Sequence, residues 1–101
     1  MSALSPRTER LVQCVFRSAD AAKVHAILEN ECGAEALSCK DWTPEQMERI
    51  RFAVVRLGSA SPEALAKAVK LAQRDWRDLL MAAGFGENLE AHNKWYSHVA
   101  C

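Results

Sequence analysis

The chain lacks a charge imbalance and a long apolar run, and both absences argue against whole classes of partner. Its 13 Lys and Arg residues balance 13 Asp and Glu residues, so the formal net charge at pH 7 is zero. No overall field therefore favours nucleic acid, a membrane surface or an acidic substrate. The sequence contains neither the roughly 18 consecutive apolar residues of a membrane-spanning helix nor an N-terminal apolar run of signal-peptide length. It predicts a soluble, cytoplasmic protein.

The chain also lacks the motifs of common enzymes and metal sites. It has no glycine-rich phosphate loop, no nucleophile elbow and no Cys-x-x-Cys pair. A Cys-His pair such as Cys14 with His25 stays open as an alternative, because residues distant in sequence can be neighbours in space. His92, His98 and Cys101 could gather around a metal, although an exposed C-terminus explains the same residues without one. The interpretation is that the chain is not an enzyme and uses no cofactor.

The four cysteines are expected to be free thiols. No secretion signal precedes them, and a disulfide framework is typical of small secreted chains. Six residues separate Cys32 from Cys39, whereas paired ligands of a structural zinc site are separated by about two to four residues. The cysteines concerned are Cys14, Cys32, Cys39 and Cys101.

Proline and glycine are scarce, and most of them mark the ends of predicted helices. The three prolines directly follow hydroxyl residues, in the pairs Ser5-Pro6, Thr43-Pro44 and Ser61-Pro62. A Ser or Thr hydroxyl caps a helix start, and proline is favoured in the first helical position. Three of the four glycines end amphipathic stretches and are expected to relieve the left-handed conformation there: Gly33, Gly58 and Gly84.

Apolar residues at helical spacing predict two helices in the first third of the chain. The first runs from after Ser5 to about Arg17, and the second starts at Ser18 or Asp20 and continues until Gly33. The stripes that define them are Leu11, Val12, Val15 and Phe16 in the first helix, and Val24, Ile27 and Leu28 in the second.

A third helix is predicted after a loop over residues 34–42. Thr43 caps it, Gln46 completes a capping box, and Trp42 and Met47 occupy the two positions of a hydrophobic staple. Its apolar stripe consists of Met47, Ile50, Val54 and Leu57.

Residues 62–83 allow two interpretations. Apolar residues recur every three or four positions from Leu65 to Ala83, as in one continuous helix. Asp75 is a good helix cap, however, and would end one helix near Gln73 and start another directly after itself. The sequence alone does not decide between one helix and two.

A last helix is expected after Asn88, because Gly84 and Gly86 end the one before it. No segment alternates apolar and polar residues as a strand would. The sequence therefore predicts an all-α protein, a compact orthogonal bundle of five or six short helices that forms one domain over residues 1–101.

Charge is segregated along the chain although it cancels overall. Residues 29–48 contain six acidic residues against one lysine, and residues 49–77 contain seven basic residues against two acidic ones. The pattern fits solvated helix faces with local ion pairs, and it also fits two opposite interaction patches.

Four basic residues recur at spacings of three, four and three: Lys67, Lys70, Arg74 and Arg77. On one continuous helix they would form a stripe that could follow phosphates. If the chain turns instead, residues 62–83 would form a helix-turn-helix-like pair. Asp75 and Asp78 would repel phosphate, and the second helix has few polar side chains to contact bases. Nucleic-acid binding is therefore the alternative function.

Phe52 is a candidate anchor for a protein partner. It lies off the apolar stripe of the third helix, between Arg51 and Arg56, and aromatic residues beside arginines are common at the centres of interfaces. Trp95 and Tyr96 are a second candidate. Arg56 and the four basic residues above complete the predicted binding surface.

The stretch AQRDWRDLLMAAGFGENLEAHNKW, with MERIRFAVVRL upstream, resembles segments of small uncharacterised bacterial all-helical proteins. The resemblance covers residues 43–95. It implies a bacterial, cytosolic setting and no particular activity or ligand. Taken together, the sequence favours a small protein-interaction module that binds another protein or a second copy of itself.

Overall fold

A computed structural model describes residues 4–33, 36–37 and 43–99 of the chain. The helices are α1 (Pro6–Val15), α2 (Ser18–Asn30), α3 (Pro44–Gly58), α4 (Pro62–Arg74), α5 (Trp76–Ala82) and α6 (Ala91–Val99). The described residues contain no strand, and the prediction of a small all-α bundle is confirmed. The radius of gyration is 12.1 Å, close to the roughly 13 Å of a folded chain of this length.

The three helix starts at a hydroxyl-proline pair are confirmed. The hydroxyls of Ser5, Thr43 and Ser61 each accept a hydrogen bond from the backbone N–H three residues further on. At Thr43 the capping box is complete, because Gln46 accepts a hydrogen bond from the Thr43 backbone N–H at 3.0 Å. Trp42, the other half of the predicted staple, lies outside the described residues.

The start of α2 differs from the prediction. Arg17 is the N-cap and makes no side-chain capping bond, while Ser18 is already helical. Only Phe16 and Arg17 separate α1 from α2, and both have extended backbone. The turn between the two helices is therefore so short that neither Ser18 nor Asp20 is available as the cap.

Of the three glycines expected in the left-handed conformation, only Gly84 adopts it, with φ of 82°. Gly58 is instead the last helical residue of α3 and is buried. A Cβ atom on Gly58 would lie 2.7 Å from the Cα of Leu65, so glycine lets α4 approach α3 closely. The sequence position of Gly58 was right for a helix end, but its physical role is packing.

Residues 62–83 form two helices and not one. The Asp75 backbone is extended, and its side chain accepts hydrogen bonds from the N–H groups of Arg77 at 3.1 Å and Asp78 at 3.3 Å. The predicted basic stripe is therefore not continuous: Lys67, Lys70 and Arg74 lie on α4, whereas Arg77 lies on α5.

The core surrounds α3, which packs against α1, α4, α5 and α6. Ile50 and Val54 from its predicted stripe are fully buried, and so are Phe52, Ala53 and Val55. Before α6, the side chain of Asn88 accepts a hydrogen bond from the Glu90 N–H at 2.8 Å. In the described part of the chain, no helix has both the length and the apolar character needed to cross a membrane.

Candidate functional site

Phe52 lies inside the molecule, so the prediction that it is exposed on the helix surface is wrong. Its side chain is 0% exposed, because α3 is buried well beyond the stripe that the spacing defined. Its ring stacks on Tyr96 at a centroid distance of 5.2 Å and meets Trp95 edge-on at 6.2 Å. We define an aromatic cluster of five side chains: Phe52, Phe85, His92, Trp95 and Tyr96.

Arg7 on α1 contacts the aromatic cluster and links it to that helix. The sequence analysis did not single out this residue. Its guanidinium carbon lies 4.5 Å from the Tyr96 ring centroid and 5.3 Å from that of Phe52. The same group pairs with Glu48 at 3.1 Å and donates a hydrogen bond to Asn93 at 2.7 Å. Because these partners lie on α3 and α6, Arg7 joins three helices, and this end of the molecule is a structural joint.

Two of the predicted basic site residues contact aromatic rings of their own chain. The guanidinium carbon of Arg56 lies 5.3 Å from the centroid of Phe85 and 5.8 Å from that of Trp95. That of Arg77 lies 5.2 Å from the centroid of Trp76. Cation–π contacts of this kind stabilise the fold itself, so Arg56 and Arg77 have an internal role beside any partner.

The other three predicted basic residues come together on α4. Lys67, Lys70 and Arg74 are exposed, and their spacing of three and four places them along one side of the helix. They make no ion pair or side-chain hydrogen bond with any described residue. Their charge is therefore available to a partner.

Beside these residues, an open groove of about 770 Å³ separates α4 from α2. We call it the α2–α4 groove. Its larger apolar lining residues are the half-buried Val15, Phe16 and Ile27 and the buried Val24, Leu65 and Val69. Lys23 from α2 and Lys70 from α4 also line it, on opposite helices.

The two walls of the groove are held together at one end. The side-chain amide of Gln73, at the end of α4, donates a hydrogen bond to the backbone carbonyl of Glu31, just past α2, at 2.8 Å. The first turns of both helices line the opposite end, together with Ser59 and Ala60 from the α3–α4 turn. The two helices therefore run side by side in the same direction.

A second cavity of about 530 Å³ lies between α1 and α2 and is lined in part by His25. The His25 ring nitrogens lie 3.4 Å from a Glu9 carboxylate oxygen and 3.3 Å from one of Glu29. The alternative of a Cys14-His25 nucleophile is wrong, because Cys14 is disulfide-bonded and has no free thiol.

The prediction of four free thiols is also wrong at Cys14, whose partner is not among the described residues. Cys32 is a free thiol and fully buried, and its burial raises the pKa to about 12, so it stays protonated and unreactive. Cys39 and Cys101 lie outside the described residues. Of the predicted metal-binding group of His92, His98 and Cys101, the cysteine is therefore not described. The described residues include no group of three or more His, Cys, Asp or Glu side chains that could hold a metal ion.

His92 is the buried polar member of the aromatic cluster. It is 6% exposed, and its ring meets those of Phe52 and Phe85 edge-on at 5.8 and 6.2 Å. Its Nδ1 atom is buried and has no hydrogen-bond partner among the described residues. Burial lowers the pKa of His92, Glu48 opposes this effect, and Arg49 adds to it. His92 is therefore neutral at pH 7.

Comparison of the chain with protein families, curated proteins and solved structures found no match. The resemblance of the C-terminal half to small bacterial helical proteins therefore stays a prediction. The features of the described residues that point to a binding function are the α2–α4 groove and the basic residues beside it, which make no ion pair with another described residue.

Proposed function

We propose that the chain is a small protein-interaction module and that its docking site is the α2–α4 groove. The ligand is a helix from a partner protein, bound without a cofactor. The observation that supports this proposal is the groove at the surface between two helices, where Val15, Phe16 and Ile27 are only half-buried beside the buried Val24, Leu65 and Val69. Burial of such a lining against an apolar ligand is the main source of affinity in helix-in-groove recognition.

The dimensions of the groove fit a helical ligand. Each wall is a helix of 13 residues, which corresponds to a length of about 20 Å. A short amphipathic helix could place its apolar stripe against the half-buried Phe16 and Ile27.

A different protein is a better candidate for the ligand than a second copy of this chain. The large apolar side chains exposed in the described part of the chain are Met81, at 59%, and Leu89, at 72%. Met81 lies on α5 and Leu89 in the segment before α6, so they form no helical stripe that could fill the groove. Self-association therefore stays the less favoured form of the proposal.

Nucleic-acid binding is the alternative function, and the unpaired charges of Lys67, Lys70 and Arg74 favour it. The arrangement of α4 and α5 supports it less well. Helix-turn-helix motifs join their helices through about three or four residues, whereas Asp75 alone connects α4 to α5. The candidate second helix also buries Leu79 and Leu80.

The proposal is tested with a synthetic helical peptide of about 14 residues, long enough to span the groove. The peptide carries leucines at helical spacing on a background of alanine and glutamine, so it has an apolar stripe and no charge. We expect saturable binding in a fluorescence-anisotropy titration. In spectra of isotope-labelled protein, the largest amide shift changes should fall at Ile27, Leu65 and Ala66.

A matched pair of variants locates the binding. Ala66 and Ala26 are both exposed helical residues, but only Ala66 lines the groove. Ala66→Trp should weaken peptide binding by about tenfold or more, whereas Ala26→Trp should leave it unchanged. Absence of saturable binding, or shift changes confined to Met81 and Leu89, would contradict the proposal. A dimer in sedimentation that Ala66→Trp disrupts would identify a second copy as the occupant.

A further inference from the structure

We infer that the helix bound in the α2–α4 groove is acidic and that its carboxylates lie against α4. This inference rests on the proposed function, because it specifies the chemistry of the ligand at the same site. The apolar lining explains why a helix binds there. The charges around the groove select which helix it is.

Beside the groove, α4 carries three basic residues on one side, Lys67, Lys70 and Arg74, which we call the basic wall. Lys70 itself lines the groove, and the other two residues lie one turn away from it on the same side of the helix. None of the three makes an ion pair with another described residue. Glu63 precedes Lys67 by one turn of α4. Its single negative charge leaves an excess of positive charge, because the basic wall has three basic residues.

The opposite side of the groove is mixed, with a small basic excess near the start of α2. Arg17 and Lys23 line the groove there, and Asp20 is the acidic residue between them. Glu31 lies at the other end, where Gln73 closes the groove. An acidic ligand would thus meet unpaired positive charge on both helices and negative charge chiefly at Asp20 and Glu31.

The combination of charge with an apolar lining favours an acidic protein helix over nucleic acid. A phosphate backbone would use the lysines and leave the exposed parts of the half-buried Phe16 and Ile27 without an apolar partner. An amphipathic helix with acidic flanks would satisfy both features at once. Electrostatic complementarity of this kind mainly sets specificity and the association rate.

Three peptides with the same leucine stripe test the inference, with flanking positions occupied by glutamate, glutamine or lysine. We expect the glutamate peptide to bind about tenfold more tightly than the glutamine peptide, and the lysine peptide to bind more weakly than either. The preference for glutamate should shrink as salt is raised, because exposed charges are screened. The double variant Lys67→Glu, Lys70→Glu should reverse the order.

Lys94→Glu is the control, because Lys94 is an exposed lysine on α6, away from the groove. It should leave the order of the three peptides unchanged. Equal affinity for the three peptides would overturn the acidic specificity and leave the interaction module intact. Failure of every peptide to bind would overturn the proposed function as well. Saturable, salt-dependent binding of mixed-sequence duplex DNA that the double variant abolishes would assign the basic wall to nucleic acid and overturn the inference.

Discussion

The aromatic cluster and the α2–α4 groove both combine apolar and basic side chains. They differ in how many of these side chains have partners within the described part of the chain. In the cluster, Phe52 is fully enclosed and Arg7 joins three helices through its charge and its stacking. In the groove, half-buried apolar side chains such as Phe16 and Ile27 lie beside lysines that have no partner in the described part of the chain. Large aromatic residues and arginines are thus poor signs of a binding site when they satisfy one another. Apolar side chains that are only half-buried, next to charged side chains without an ion-pair partner, are a better sign of a binding site.

The largest effect should come from emptying the cluster. We expect Phe52→Ala to lower the free energy of unfolding by about 3–5 kcal/mol, because it leaves a cavity among fully buried side chains. Ile27→Ala, in the half-buried lining of the groove, should cost less, about 1–2 kcal/mol. Urea denaturation measures both values. Equal losses would mean that the two regions are packed alike, which would remove the contrast between them.

A smaller effect is expected where the groove meets the core. Gly58→Ala introduces a Cβ atom 2.7 Å from the Cα of Leu65, and overpacking of this kind costs about 1–3 kcal/mol. Because Leu65 lines the groove, the substitution should also change peptide affinity. Gly33→Ala is the comparison and should cost less stability than Gly58→Ala. The added Cβ there would lie 3.1 Å from one backbone oxygen, that of Glu29. A Gly58→Ala variant of parental stability would contradict the close approach of α3 and α4.

The joint at Arg7 should contribute less than the buried ring. Arg7→Ala removes a partly exposed ion pair, a hydrogen bond and two cation–π contacts, and we expect a loss of about 1–2 kcal/mol. Lys94→Ala, at an exposed position of α6, should change stability by less than about 0.5 kcal/mol. Thermal unfolding followed by circular dichroism compares the two variants. Peptide binding in the groove should be unaffected by either, which separates the two regions.

The smallest effect concerns pH, since it involves one ionisation. Burial lowers the pKa of His92 below the usual histidine value of 6.5, so the unfolded chain binds a proton more readily than the folded one. Stability should therefore be complete above pH 6.5 and should fall as the pH drops below that value. We expect a shallower fall between pH 7.5 and 5.5 in His92→Leu. If stability depends on pH equally in the parent and in His92→Leu, the burial of His92 does not contribute to the loss of stability at low pH.

Local features of the fold could be predicted from the sequence. The caps at Ser5, Thr43 and Ser61 depend on contacts within three residues, so their residue types are sufficient to locate them. The break at Asp75 was one of two interpretations, because its capping signal competes with an uninterrupted apolar spacing. Tertiary packing favours the break: α5 turns Leu79 and Leu80 into the core.

The candidate site could be predicted only in part. Lys67, Lys70 and Arg74 were identified because their spacing on one helix is visible in the sequence. The groove was missed, since its lining comes from residues 15–31 and 58–73, and only the folded chain brings these two stretches together. Phe52 was misplaced for a related reason, because helical spacing does not reveal that α1 and α6 cover a second side of α3.

The hydrogen bond from Gln73 to Glu31 gives the groove a direction. It joins the two walls at the end of α4, whereas the first turns of the two helices and the α3–α4 turn line the other end. A helix bound as proposed would meet this hydrogen bond at one of its two termini. Residues added at one terminus of a bound peptide should then be tolerated, whereas residues added at the other should be rejected. Under the proposed function, the groove would then distinguish a ligand helix that ends at Gln73 from one that continues into a longer helix.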